Sequence, residues 1–330
     1  MQETVLVTGG AGFIGSHVVD QLVKNFKVVV LDNLSGGDVR NVHPQALFTN
    51  CSINNINLLE AMFERHKFKY VYHLAAYAAE NLSHFIKRFN YENNLMGSIN
   101  LINLSVNHNV ECFVYTSSIA VYGHAQVPMT EDMTPCPEDS YGIAKLAVEQ
   151  ELKITKKMFG MDYIIFRPHN VFGERQNIAD KYRNVVGIFM NQILNDEPLT
   201  IFGDGKQLRA FTYIHNISAI IANSVLVMEG ARNEIFNLGS SQVCTVNELA
   251  KKVILSMGKT QHGIIHLPQR NEVKEAFCDH LKARVVFWMT RSLSDYGLDQ
   301  MATWAKKHGA RKSRDFKNIE IKKNLPESWK

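Results

Sequence analysis

At 330 residues the chain has room for one large or two moderate domains and ample surface to bury in a core. Hydrophobic residues make up 45% and charged residues 21%, the composition of an ordinary soluble globular protein. The net charge of +4 sits in residues 311–330, where seven basic side chains face three acidic ones, so the near-neutral body argues against a nucleic-acid surface.

The chain opens with a short apolar run, Val5 to Val7, that reads as a buried strand. Gly9, Gly12 and Gly15 follow, and then Val18 to Val23 with helical spacing. Strand, glycine turn and helix in that order give a helix N-terminus whose free N–H groups and dipole attract a pyrophosphate. A second strand, Lys27 to Leu31, ends in Asp32, about 20 residues past the middle glycine, where a carboxylate can grip an adenosine ribose. A purely structural glycine loop is the alternative. Residues 33–37 form a loop, and Leu47 to Thr49 a weak third strand. Leu58 to His66 predicts an amphipathic helix, Tyr70 to Leu74 a strand ending in Ala75 and Ala76, and Asn94 to Val106 a buried helix. Cys112 to Tyr115 is a further strand, leading to Ser117 and Ser118.

Strands alternating with helices predict an α/β fold, a doubly wound Rossmann-type parallel sheet whose ligands sit beyond the carboxyl ends of the strands. Residues 127–139, with Pro128, Pro135 and Pro137, form a connection; a long helix then runs from Tyr141 to Phe159 and is capped by Gly160. After the strand Tyr163 to Phe166 the alternation degrades. The expected organisation is a cofactor domain over 1–170 with return segments at about 211–240. A smaller C-terminal substrate-binding lobe takes 171–210 and 241–310, and a basic tail 311–330. The tail reads as a solvated extension, with docking on a partner as the alternative. Five scattered cysteines without ligand spacing, and no apolar run approaching ~18 residues, predict a cytoplasmic protein with no metal and no membrane insertion.

Tyr141 and Lys145 stand four apart at the start of the long helix, on one face and within mutual reach. A tyrosine of pKa about 10 is a poor base at neutral pH. An ammonium about 4 Å away at an effective dielectric of roughly 20 favours the phenolate by about 4 kcal/mol, close to 3 pKa units. So tuned, Tyr141 can take a proton from a substrate hydroxyl and return it, with Ser118 donating to the same oxygen. A surface Tyr and Lys on an ordinary helix would share this spacing; the glycine loop and Ser118 set it apart.

Six motifs in order carry a resemblance: residues 8–15, 73–76, 94–97, 117–123, Tyr141-x-x-x-Lys145 and 167–173. Over residues 4 to about 308 the chain resembles the extended short-chain dehydrogenase/reductase family, and within it NAD-dependent nucleotide-sugar epimerases of the UDP-glucose 4-epimerase type. The resemblance implies Tyr141 as catalytic acid and base, Lys145 as its electrostatic partner and Ser118 as the catalytic hydroxyl. Around NAD it implies Gly9, Gly12, Phe13, Ile14, Gly15, Asp32, Asn33, Ser35 and Gly36. It adds Ser52, Ile53, Leu74, Ala75, Ala76, Ala78, Asn94, Ser117, Tyr141, Lys145 and Pro168. Around the UDP-sugar it implies Ser118, Asn170, Asn184, Val185, Thr200, Phe202, Arg209, Phe211, Gln242 and Arg270, the two arginines suiting a diphosphate.

The chain departs from the family pattern in placing Ser52 where an acid often meets adenine, and Ala210 and Asn216 where aspartates are expected. Ile119 follows Ser118 where dehydratases and decarboxylases carry an acid, and Ala120 stands where 3,5-epimerases place a cysteine. The implied reaction is inversion at C4 of a UDP-sugar: UDP-glucose/galactose, their N-acetylamino forms or UDP-glucuronate. Asp32 favours NAD over NADP because a carboxylate repels a 2′-phosphate. A small Ala276 suggests room for an N-acetyl group. A dehydrogenase or reductase that releases its cofactor, and a non-catalytic NAD-binding scaffold, are the alternatives. A homodimer through the 94–106 and 141–159 helices is also implied. His169 and His215 read as packed or surface residues.

Overall fold

The computed structural model describes residues 2–269, 273–288, 294–312 and 316–329. β1 (Thr4–Thr8) passes through the glycine turn into α1 (Phe13–Leu22), and β2 (Lys27–Asp32) follows. Next come β3 (Leu47–Asn50), α2 (Ile56–His66) and β4 (Tyr70–His73). Two short helices, α3 (Glu80–Ser83) and α4 (Lys87–Tyr91), lead through one π-helical turn at Glu92–Met96 into α5 (Gly97–Asn107). β5 (Cys112–Thr116), α6 (Ser140–Phe159) and β6 (Asp162–Pro168) close this part.

The remaining chain is more broken. It runs through β7 (Val171–Phe172), α7 (Val185–Leu194), β8 (Leu199–Phe202), β9 (Leu208–Ala210) and β10 (Thr212–Tyr213). α8 (His215–Asn223), α9 (Met228–Ala231), β11 (Glu234–Leu238), β12 (Val243–Thr245) and α10 (Val246–Ser256) follow. β13 (Ile264–Leu267), β14 (Glu275–Ala276), α11 (Leu281–Phe287) and α12 (Ser294–His308) complete it.

Seven strands form one parallel sheet in the order β11-β6-β5-β4-β1-β2-β3. The order reverses between β1 and β4, and the crevice beyond their carboxyl ends is where such a sheet receives a ligand. The alternation of side chains explains why the strands read as continuous apolar runs. Val5, Val7, Val28, Val30 and Tyr72 enter the core on one face, while Leu6, Val29, Leu31 and Val71 enter the core on the other. Both faces are covered, and each fully buried aliphatic side chain contributes roughly 1.5–3 kcal/mol.

α6 is set by its ends and its seam. The Asp139 carboxylate accepts from Gly142 N at 2.8 Å, and Gly160, at φ +82°, ends the helix in the left-handed region. Its buried face carries Tyr141, Ala144, Lys145, Val148, Glu149 and Leu152. Glu149 pairs with Arg167 of β6 in a two-pronged bond of 2.9 and 2.6 Å with both side chains fully enclosed, and the guanidinium lies 4.7 Å over the Tyr122 ring. This pair fixes α6 against the sheet.

Three expectations need correction. The segment 94–106 is not one α-helix. Its first turn is π-helical, and from that turn Asn94 bonds Asn90 and the backbone of Tyr77. The tail is not a solvated extension over its described length. Leu325 and Trp329 are buried, and with Phe316 and Ile319 they pack on Ala79, Leu82, Ile86 and Tyr182. Apolar residues scattered among lysines gave too weak a periodicity to announce this. Of the return segments expected at about 211–240, residues 211–222 instead supply β10 and most of α8, which packs against α1, while β11 does extend the sheet.

Candidate active site

The glycine turn lies at the mouth of the crevice. Gly9 holds φ +73°, and a Cβ there would sit 2.7 Å from Ala75 N, so the turn presses against the end of β4. At Gly15 an added Cβ would meet the Gly9 carbonyl at 2.1 Å. No side chain caps α1, so its first-turn N–H groups remain turned to the cleft beside Gly12, Phe13 and Ile14. Asp32, at the end of β2, accepts from Ala11 N at 3.1 Å and Leu34 N at 2.8 Å. Burial raises its carboxyl above the usual range, and the N–H groups of Leu34, Ala11 and Gly12 oppose that rise. A cradle of bare N–H groups, tight glycines and one oriented carboxylate fits an adenosine pyrophosphate. The buried Ser117 hydroxyl, without a protein partner, adds a polar atom on the same wall.

β5 delivers Thr116, Ser117 and Ser118, and the start of α6 delivers Tyr141 and Lys145 opposite them. The Lys145 amine donates to the Thr116 carbonyl at 2.7 Å and lies 4.7 Å over the Tyr115 ring and 5.7 Å from the Tyr141 ring centre. Ser118 caps a short 3₁₀ turn by accepting from Ala120 N at 3.1 Å. Electrostatics here depart from the sequence expectation. Burial pushes the Tyr141 phenol well above its ordinary value, with Glu80 adding to the rise, while a hydrogen bond with Ser118 and the charge of Arg183 oppose it. Burial likewise pulls Lys145 down to about 7, with Glu149 holding it up. The sequence argument weighed only the neighbouring ammonium. In the fold both groups are enclosed, and desolvation outweighs the pairing.

One cleft of about 760 Å³ collects most of the residues singled out from the sequence. Gly9, Gly12, Phe13, Ile14, Gly15, Asp32, Asn33, Ser35, Gly36, Ile53, Leu74, Ala75, Ala76, Ala78, Ser117 and Pro168 line one side with Ser118, Tyr141 and Lys145. Asn170, Asn184, Val185, Thr200, Phe202, Arg209, Phe211 and Ala276 line the other. Arg209 is braced by the carbonyls of Leu208 and Lys274 at 2.9 and 3.0 Å and by that of Val273. Three expected residues do not line this cleft. Ser52 sits between Cys51 and Ile53, which do, and its hydroxyl accepts from Asn54 N. Asn94 is buried behind the wall, bonded to the N–H and carbonyl of Tyr77 at 2.9 and 3.0 Å. Gln242 is exposed beside a separate depression near Cys244 and Leu298. Arg270 lies outside the described residues.

The cleft also holds residues the sequence reading did not select: Glu80, Tyr182, Arg183 and Trp329. They come from the short helix α3, the loop before α7 and the tail, where neither periodicity nor motif marks them. His169 is buried against His280 with ring centres 5.0 Å apart, and His215 stands at the surface beside Glu174. All five cysteines are free, and among the described residues no helix is long and apolar enough to cross a membrane.

Residues 5–239 match the model of the NAD dependent epimerase/dehydratase family. The chain is 33% identical to a putative UDP-glucose 4-epimerase of Methanocaldococcus jannaschii over 92% of its own length and 98% of that protein's. Among solved structures it superposes on a UDP-glucose 4-epimerase of Thermotoga maritima, bound to UDP-glucose, with a TM-score of 0.86 and 35% identity, covering 92% of this chain and 99% of that one. A UDP-N-acetylglucosamine 4-epimerase of Methanobrevibacter ruminantium in complex with UDP-N-acetylmuramic acid gives 0.85 and 29%, covering 93% and 100%. The strand order, the glycine cradle and these matches along nearly the whole chain agree: the protein belongs to the NAD dependent epimerase/dehydratase family.

Proposed function

We propose that the protein is an NAD-dependent epimerase that inverts C4 of a UDP-sugar through a transient 4-keto intermediate. One observation carries the reading. Ser118, Tyr141 and Lys145, from two elements, meet in the cleft whose far side holds Asn184, Val185, Thr200, Phe202 and Arg209. A diphosphate gripped at that far side, with the sugar free to turn at the phenol, is what presenting both faces of one carbon requires. Bound NAD supplies the hydride acceptor and, in the return step, the hydride donor.

The chain's own residues move the proton. Tyr141 takes it from the 4-hydroxyl and returns it after the keto sugar has swung over, while Ser118 donates to the same oxygen. Burial keeps the phenol protonated, so its ionisation depends on positive charge nearby. Lys145, poised at about 7, supplies that charge within the protein. The same amine is the group that would hold the nicotinamide ribose. Arg209, held by three carbonyls, is assigned to the diphosphate.

A paired assembly belongs to the same reading, since Ile143, Ile154 and Met158 stand exposed on α6 with Met96 beside the head of α5. Sedimentation of the purified protein reads that directly. A cytoplasmic placement is supported by five unpaired cysteines. The deciding experiment incubates the protein with UDP-galactose, UDP-N-acetylgalactosamine or UDP-galacturonate and no added cofactor. Formation of the C4 epimer is expected, and Tyr141→Phe should lower kcat by about 10²–10⁴-fold. Stoichiometric free NADH would replace the reading with a dehydrogenase, and silence across the panel would replace it with a scaffold.

A further inference from the structure

The C-terminal segment fastens two walls of the cleft to each other. On one wall, the Glu320 carboxylate straddles the start of α4, accepting from Arg88 N at 2.8 Å and Phe89 N at 2.9 Å. The N–H groups of Glu320 and Ile321 donate to the Phe85 carbonyl at 2.9 and 3.1 Å. Phe316 packs its ring 5.5 Å from Tyr77 and 5.0 Å from Phe89. On the other wall, Phe316 N donates to the Tyr182 hydroxyl at 3.3 Å, and the buried Trp329 meets the Tyr182 ring edge-on at 5.1 Å. Trp329 also meets Phe85 at 6.0 Å and itself lines the cleft.

The two fastened loops bridge the cofactor trough. Tyr77 and Glu80 follow β4 at the reacting end, where Glu80 acts on the Tyr141 phenol. Tyr182 and Arg183 precede α7 on the facing side. The Arg183 guanidinium lies 4.7 Å over the Tyr77 ring, and a Cβ on Gly36 would stand 3.3 Å from it, so this arginine spans from the substrate side to the loop after β2. A dinucleotide lying from Asp32 to Tyr141 therefore passes beneath a bridge whose two abutments are tied by residues 316–329.

We propose that residues 316–329 act as a latch that retains the nicotinamide dinucleotide in the cleft, with Trp329 and Glu320 as positioning residues. The proposal rests on the cofactor reading above and adds a determinant of cofactor release. For the dinucleotide to leave, the loops carrying Tyr77 and Tyr182 must separate. Contacts made by the strap only in the closed arrangement add to the release barrier without touching the reacting atoms. A reaction that returns its hydride to the same sugar needs such retention.

The test loads the full-length protein with NADH and follows loss of its fluorescence on chasing with excess NAD⁺. Three variants are compared: truncation after Lys312, Trp329→Ala and Glu320→Ala, with Trp329→Phe as the conservative control. Release is expected to speed up by about tenfold or more for the first two and by a smaller factor for Glu320→Ala, while Trp329→Phe stays near wild type. UDP affinity, read by calorimetry, should stay within about twofold, because a merely looser fold would weaken both ligands. If the truncated chain loses its native circular dichroism, the two point variants decide. Release within about twofold of wild type in Trp329→Ala and Glu320→Ala overturns the latch. Loss of sugar inversion by the wild type with slow NADH release would instead overturn the epimerase reading and leave the latch standing.

Discussion

Replacing Lys145 by methionine should cost activity and yet stabilise the fold. The amine is almost fully enclosed, and its pKa falls from 10.5 to about 7, so carrying the charge inside costs the fold on the order of 5 kcal/mol at neutral pH and below. Methionine has similar length and removes that cost. It also leaves the Thr116 carbonyl without its donor, a loss of about 1–3 kcal/mol, and gives up the contact over the Tyr115 ring, about 1–2 kcal/mol. The balance favours Lys145→Met by on the order of 2 kcal/mol, a rise of a few degrees in Tm. The pH dependence fixes the sign. Between 10.5 and about 7 the unfolded chain takes up a proton that the fold refuses, so the wild type's penalty grows as pH falls and is complete below 7. The variant's advantage should therefore be largest near pH 6 and vanish towards pH 10.5, where only the lost hydrogen bond remains. Thermal unfolding of nucleotide-free protein across that range reads this out, alongside an epimer assay expected to show a loss of about 10²-fold or more. A variant that melts below the wild type at pH 6, or a difference that does not narrow with rising pH, refutes the burial argument.

Glu149→Gln leaves the Arg167 guanidinium enclosed and uncompensated, and urea unfolding should show a loss of about 3–5 kcal/mol; less than about 1 would mean that Arg167 finds another partner. Acid should destabilise the fold through its buried imidazoles. His17 and His169 are both held at about 4 by burial, so stability is full above pH 6.5 and is lost as pH falls towards 4, by on the order of 3 kcal/mol for each. Melting temperatures from pH 7 to 4.5 follow this loss, and His169→Asn should flatten the curve; an unchanged slope would remove His169 from the account. Asp32→Asn should weaken NADH binding by about tenfold and narrow the preference over NADPH, both read by fluorescence titration. An unaltered ratio of the two affinities would show that the carboxylate does not select the cofactor.

The glycine turn, the carboxylate that ends β2 and the Tyr141–Lys145 pair were legible because each is a local pattern. Gly9, Gly12 and Gly15 stand within one turn, Asp32 ends the next strand, and Tyr141 and Lys145 are one helical turn apart. The far wall was legible only through the resemblance, since Thr200, Phe202 and Arg209 lie on short strands whose pairings cross long stretches of sequence. Asn94 and Gln242 show the limit of that transfer. A motif position can serve the backbone of a neighbouring loop, as Asn94 serves Tyr77, or face another depression, as Gln242 does.

The alternation of strands and helices as far as β6, the glycine turn and the Tyr141–Lys145 spacing were written in the sequence, because each rests on neighbours within a few positions along the chain. The tertiary structure alone decided the ionisation of those residues. Enclosure raises the Tyr141 phenol and lowers the Lys145 amine, and enclosure is a property of everything packed around them. It also decided the position of the tail. Glu320 finds α4 and Trp329 finds Tyr182 across more than a hundred residues, a meeting set by the closing of the two cleft walls and by no local pattern.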